Sequence, residues 1–225
     1  MLQAEMNWVW MIGAPGVRLC LGIFFRMRIE GLDNVPTSGR FVVAPNHVSV
    51  LDGPTTSAIV GTHLRRATRN LIAAEIFHGI RGWILRQANQ IPVRRGKGDT
   101  GALDAAVEAL EHGSVVGIFP EGRVSNDPWQ GFQYIRSGLT RIALPTTSPV
   151  VPVGIWGAQT IWPQPGVDRR ALFRRPPMAV VFGSPLVPVP GEIPSEFRDR
   201  YRQALHQVVD RARSLAGDPR EAAES

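Results

Sequence analysis

Sulfur chemistry is nearly absent from this chain. Its one cysteine, Cys20, rules out an internal disulfide and a zinc site built on cysteines, and suits a reducing compartment. Lysine is as scarce: of 25 basic residues only Lys97 is a lysine, and the rest are arginine. No internal repeat occurs, and no linker divides the chain. A length of 225 residues fits one sizeable core better than two full domains, and 44% apolar residues exclude a disordered chain.

What is present is positive and forked. The net charge is +6, with arginines gathered between Arg65 and Arg95 and again between Arg169 and Arg175. Base composition of the genome can produce such a bias. So can a surface that meets anions, because guanidinium grips phosphate through paired donors. No RNA-binding or helix-turn-helix signature accompanies these arginines and no aromatic residues interleave with them, so no nucleic-acid partner is expected. An anionic membrane surface fits better.

The N-terminus reads WVWMIGAPGVRLCLGIFF from Trp8 to Phe25, with Arg18 as its only charge. The preceding MLQAEMN carries Glu5 and no base, unlike a secretory signal. Gly13, Pro15 and Gly16 interrupt the run, which predicts two short apolar helices lying in a membrane interface, with Trp8 and Trp10 at headgroup depth. A helix packed on the protein's own core and a spanning anchor also fit. The division expected is a membrane-associating segment over 1–25, a catalytic domain over 26–216 and a disordered tail over 217–225.

Beyond residue 25, apolar runs alternate with helical periods. Strands are predicted at 25–30, 40–45, 71–74, 90–95, 114–119, 150–155 and 178–183. Helices are predicted after Gly53, through 87, from the cap Asp99 to His112, from about Tyr134 to Leu144 with a stop at Pro145, and over Pro194–Leu215. This alternation predicts an α/β fold: a central, mostly parallel sheet flanked by helices, with the apolar N-terminal helical segment added. Ligands of such sheets bind beyond the carboxyl ends of strands. His47, Arg95 and Glu121 all fall at such ends.

Three motifs stand there. GKGDTG (96–101) has the spacing of a dinucleotide-binding turn, with Glu121 beyond it. Asp99 would repel a pyrophosphate, and flanking cations crowd the strand end, so a polar turn with a helix cap is the better reading. In NHVSVLDG (46–53), a helix would set His47 and Asp52 about 140° apart. A turn, which Gly53-Pro54 favours, would let Asp52 take one imidazole nitrogen and leave the other as a base. The spacing permits that dyad without demanding it. FPEGRVS (119–125) offers Glu121, a tight backbone at Gly122 and the cation Arg123, suited to a substrate with hydroxyls and a phosphate, or forming only a surface ion pair.

Together these blocks resemble the glycerolipid acyltransferases, the 1-acylglycerol-3-phosphate O-acyltransferase family. NHVSVLD is similar to its N-H-x4-D block, QIPVRR (90–95) to a second block ending in Arg95, FPEGRVS to its F-P-E-G-T-R-S block, and VVPVGI (150–155) to its last, in the family's order; IEGLDNVP (29–36) is also typical. The resemblance covers residues 26–160. It implies transfer of a fatty acyl group from acyl-CoA or acyl carrier protein to the free hydroxyl of a membrane lysophospholipid, 1-acylglycerol-3-phosphate, to give phosphatidate. His47 would be the general base and Asp52 its support. Arg95 would bind the acceptor's phosphate, and Glu121 with Gly122 its glycerol part. Backbone amides of the turn, with Asn46 nearby, would hold the thioester oxyanion. No cofactor or metal is implied. The absence of G-x-S-x-G fits, since the nucleophile belongs to the substrate. The expected location is the cytoplasmic face of the inner membrane.

The chain departs from the family pattern in places. Arg123 stands where Thr is usual and Val124 where Arg is usual. Arg94 adds a cation beside Arg95, and Ala74 and Glu75 stand where a lysine is common. These departures leave the acceptor open: another lysolipid or a glycolipid would suit the same chemistry. A catalytically idle lipid-binding protein and a dinucleotide-binding dehydrogenase are the readings from other classes.

Overall fold

In the computed structural model, which describes residues 6–94, 99–130, 132, 134–163 and 166–217, the most apolar runs become the middle of one sheet. β2 (Phe41–Pro45) and β6 (Val150–Trp156) are buried at every position, as strands covered by helices on both faces are. They pair in parallel, and β2 pairs on its other side with β5 (Val115–Gly117). β3 (Thr68–Ala73) and β4 (Ile91–Val93) continue the parallel set. On the opposite flank β7 (Pro177–Phe182) runs antiparallel to β6, with β1 (Arg26–Glu30) parallel to it at the edge. The order is β1-β7-β6-β2-β5-β3-β4. The sheet is mostly parallel, as the alternation implied, and the reversed β6–β7 pair is the addition.

Alternate residues of each strand serve opposite layers. Val42, Ala44 and Val116 pack under α4 (Thr100–Glu111), α5 (Gly138–Thr146) and α7 (Pro194–Ala216). Phe41, Val43 and Val115 pack under α2 (Asp52–Leu64), together with Leu21 and Phe25 from the N-terminal segment. The tail beyond Gly217 and residues 95–98 of the GKGDTG turn lie outside the described residues. Asp99 does cap α4, accepting the Ala102 N–H at 3.2 Å.

The N-terminal segment is not two helices. It is one, α1 (Trp8–Phe24), capped by Asn7, whose side chain accepts from Val9 and Trp10. Pro15 removes one backbone bond, but Pro15 and Met11, one turn before it, both lie on the outer side, so the freed carbonyl is not sealed in a core. Trp10 and Ala14 turn inward onto α2, where Gly61 makes room: a Cβ there would come 3.2 Å from that of Ala14. Trp8, Met11, Ile12, Leu19 and Ile23 remain exposed. Trp8 also meets Trp83 of α3 (Gly79–Gln87), ring centroids 5.9 Å apart. No helix among the described residues is long and apolar enough to cross a membrane.

α5 begins later than its periodicity suggested and keeps Pro145 in its last turn. The cause is local: the Arg136 N–H donates to the Pro120 carbonyl at 2.8 Å, not to a carbonyl one helical turn back. A one-turn helix, α6 (Ala171–Arg174), was not expected.

Candidate active site

β2 and β5 are neighbours, so the segments that follow them meet. Asn46 prolongs the β2–β6 pairing past the ladder: its N–H reaches the Val153 carbonyl at 3.2 Å. Its side-chain amide donates to the Ile155 carbonyl at 3.0 Å and accepts the Ile155 N–H at 2.7 Å. Asn46 is wholly buried. It was expected beside the thioester oxyanion. Its amide is committed to β6 instead, and it fixes the point from which His47 departs.

The segment after Asn46 is a turn that closes on Asp52, the first residue of α2. Asp52 Oδ2 accepts the Val48 and Ser49 N–H groups at 2.7 Å each and lies 3.0 Å from His47 Nδ1. These two amides are therefore spent on Asp52, which removes the obvious backbone donors expected for an oxyanion. Asp52 is fully buried, and burial raises its carboxyl above the usual carboxylate range, offset in part by His47 and by the Ser49 and Val48 amides. Oδ1 is buried without a hydrogen-bond partner among the described residues. With Asp52 ionised, Nδ1 carries the imidazole proton and the Nε2 lone pair stays free for a proton. The ring lies flat on Phe119, centroids 3.9 Å apart and planes at 21°.

The FPEGRVS segment grips the His47 backbone from both sides. Glu121 Oε1 accepts the His47 N–H at 2.6 Å, and the Ser125 N–H donates to the His47 carbonyl at 2.8 Å. Burial pushes the Glu121 carboxyl up to about 7; the His47 amide opposes this and the nearby Asp52 charge adds to it. From α7, Tyr201 donates its hydroxyl to the Ala44 carbonyl at 2.8 Å, bracing the end of β2. Its phenol is held well above its ordinary value, by burial first and by Glu121 second. The sequence placed Tyr201 only within the helix predicted over Pro194–Leu215.

Gly122 needs to be glycine. Its φ is +72°, and a Cβ there would lie 2.8 Å from Cδ and 2.9 Å from Nε of Arg136. Arg136 Nε donates to the Glu121 carbonyl at 3.1 Å. No motif pointed to Arg136; only the need for a cation near the turn could have. Arg123 is exposed, with no hydrogen bond or ion pair among the described residues. Arg95 lies outside the described residues. Its neighbour Arg94 follows β4, which β3 separates from β5, and gives its N–H to Asp99 Oδ2 at 2.9 Å.

The result is an oriented base with one nitrogen available, seated on an aromatic ring and held at both its peptide groups. Such a group removes a proton from a hydroxyl. Ser49 cannot serve as an enzyme nucleophile in this arrangement, because its hydroxyl donates to the Trp162 carbonyl at 2.7 Å and accepts from the Leu51 N–H at 3.1 Å.

The Acyltransferase family model matches residues 26–156. An uncharacterised protein of Mycobacterium tuberculosis is 28% identical over 91% of this chain and 59% of its own length. The chain spans 57–59% of the length of the mycobacterial relatives it matches. The chloroplastic 1-acyl-sn-glycerol-3-phosphate acyltransferase of Arabidopsis thaliana is 29% identical over 62% of this chain and 38% of its own. The lyso-ornithine lipid O-acyltransferase of Pseudomonas aeruginosa is 31% identical over 61% and 50%. The crystal structure of the 1-acyl-sn-glycerophosphate acyltransferase PlsC from Thermotoga maritima superposes with a TM-score of 0.74 at 23% identity, covering 92% of this chain and 80% of that one, so the two share a fold.

Proposed function

The chain belongs to the Acyltransferase family, and from that premise we propose that it acylates the free hydroxyl of 1-acylglycerol-3-phosphate, with acyl-CoA or acyl carrier protein as donor, to give phosphatidate. The observation that carries the chemistry is the His47–Asp52 contact at 3.0 Å, which leaves Nε2 with no hydrogen-bond partner among the described residues. In the reaction, the acceptor hydroxyl gives its proton to Nε2 as its oxygen attacks the thioester carbonyl. Asp52 supports the imidazolium that forms. The tetrahedral intermediate then expels the thiolate, which recovers the proton from His47. No acyl-enzyme forms, in keeping with the occupied Ser49 hydroxyl.

A phosphate-bearing acceptor is supported by the arginine-rich surface and by Arg123 and Arg136 beside the Glu121 turn. The exposed apolar side of α1 supports seating against a bilayer, and the cytoplasmic face of the inner membrane is the proposed location. The test is transfer of a labelled acyl group to 1-acylglycerol-3-phosphate in liposomes, with acyl-CoA and acyl carrier protein donors in parallel. His47→Ala is expected to lose at least about a hundredfold in rate. Equal product from both proteins would remove His47 from the mechanism. Product from the wild type only with a lyso-ornithine or other phosphate-free acceptor would replace the acceptor while keeping the chemistry.

A further inference from the structure

Arg136 belongs to none of the motif blocks, yet it is fastened to the catalytic turn more firmly than the arginine within it. Its N–H holds the Pro120 carbonyl at 2.8 Å and its Nε holds the Glu121 carbonyl at 3.1 Å. Its side chain occupies the space that any residue other than glycine at position 122 would fill. A guanidinium has five N–H donors; Nε uses one, and the four on the terminal nitrogens have no protein partner among the described residues. The side chain is exposed, so this end faces solvent. After Ser137 comes Gly138, the first residue of α5, and the first turn of that helix lies over Ile118 at the end of β5, where a Cβ on Gly138 would come 3.4 Å from Ile118 Cδ1. The positive end of α5 and the guanidinium therefore stand at the same strand end.

We propose that Arg136 binds the phosphate of the acceptor and sets the preference for phosphomonoester lysolipids. The inference rests on the acyltransferase reading above and assigns its headgroup contact. An exposed arginine ordinarily loses side-chain freedom when it grips an anion. Here the Nε bond and the Gly122 seat have already fixed the chain, leaving the forked end ready for two parallel bonds to phosphate oxygens. Arg123, within the turn, has no hydrogen bond or ion pair among the described residues. Val124, one residue on, has no charge at all. Position 124 itself offers no cation, and Arg136 supplies one from outside the turn.

The experiment compares wild type, R136Q, R136K and R123Q. The binding arm titrates glycerol 3-phosphate and, separately, inorganic phosphate by calorimetry. The kinetic arm measures transfer from acyl-CoA to 1-acylglycerol-3-phosphate and to a monoacylglycerol that lacks phosphate. R136Q is expected to weaken glycerol 3-phosphate binding at least about tenfold and to raise KM for the phosphate-bearing acceptor alike. The expected change in kcat is within about twofold, with KM for acyl-CoA and turnover of the monoacylglycerol unaltered. R136K, which keeps the charge without the fork, should fall between, and R123Q should weaken binding by less than R136Q does. Wild-type affinity for glycerol 3-phosphate in R136Q and R136K overturns the proposal, as does a wild type that binds neither probe. A fall in thermal midpoint and kcat together, with KM unchanged, also overturns it, by making Arg136 a structural clamp. A wild type that binds glycerol 3-phosphate through Arg136 but transfers no acyl group to any acceptor would keep this inference and sink the acyltransferase reading. Should R136Q fail to fold, R136K decides on the same two readouts.

Discussion

Glu121 keeps a carboxyl near 7 because burial and the charge of Asp52 outweigh the His47 amide. A group raised above its unfolded value of 4.5 contributes stability that is complete below that value and lost as pH rises through about 7. Glu121→Gln retains an oxygen to accept the His47 N–H and has no charge to bury. The thermal midpoint of the variant is therefore expected to exceed that of wild type at pH 8, and the gap to shrink as pH falls to 5. A gap that is constant across this range would mean the carboxyl titrates normally. At this scale the His47–Asp52 pair was legible because both residues sit in one short segment that Gly53-Pro54 bends into a turn. The grip of Glu121 on His47 was not, since it spans 74 residues and exists only because β2 and β5 are adjacent. Asn46 misled for a related reason: an amide beside a base looks like a substrate contact until the strand that consumes it is placed.

Helices succeed or fail here by what they lie against. α7 approaches the sheet so closely that a Cβ on Gly154 of β6 would sit 2.1 Å from the Val208 carbonyl oxygen. Backbone cannot yield as a flexible side chain can. Gly154→Ala is expected to destabilise the fold by about 1–3 kcal/mol, read as a lower urea midpoint with an unchanged slope. It should also reduce activity, because α7 carries the Tyr201 brace on Ala44. A variant with the wild-type midpoint would show that the helix can shift freely. Element boundaries set by periodicity came out well where one face meets a core, as in α4 and α7. They failed in α1 and α5 for opposite reasons. In α1, a proline that should break the helix lies on the outer side, where it costs less. In α5, Arg136, ahead of the observed helix, is claimed by Pro120 and Glu121.

At the scale of the whole molecule, α1 presents an apolar outer side. Ile12 is 70% and Leu19 67% exposed, and they share the outer side of α1. The double variant Ile12→Glu, Leu19→Glu is expected to lose flotation with anionic vesicles while its thermal midpoint moves by less than about 3 °C, since neither side chain packs on the core. Undiminished flotation would remove α1 from the proposed membrane contact. The fold class was readable from alternation of strand and helix patterns. The strand order was not, because crossovers permit several orders and no local signal reverses β7. That order has a temporal side. His47 meets Asp52 across 5 residues, Glu121 across 74, and the strand that carries it is tied by Asn46 across 109 and by Tyr201 to Ala44 across 157. A chain emerging from the ribosome holds its base and carboxylate early, but it cannot set them until the last long helix has left the exit tunnel and docked. Regaining the proposed acyl transfer during refolding is thus a clock for the final assembly step, and a half-made chain has no working base.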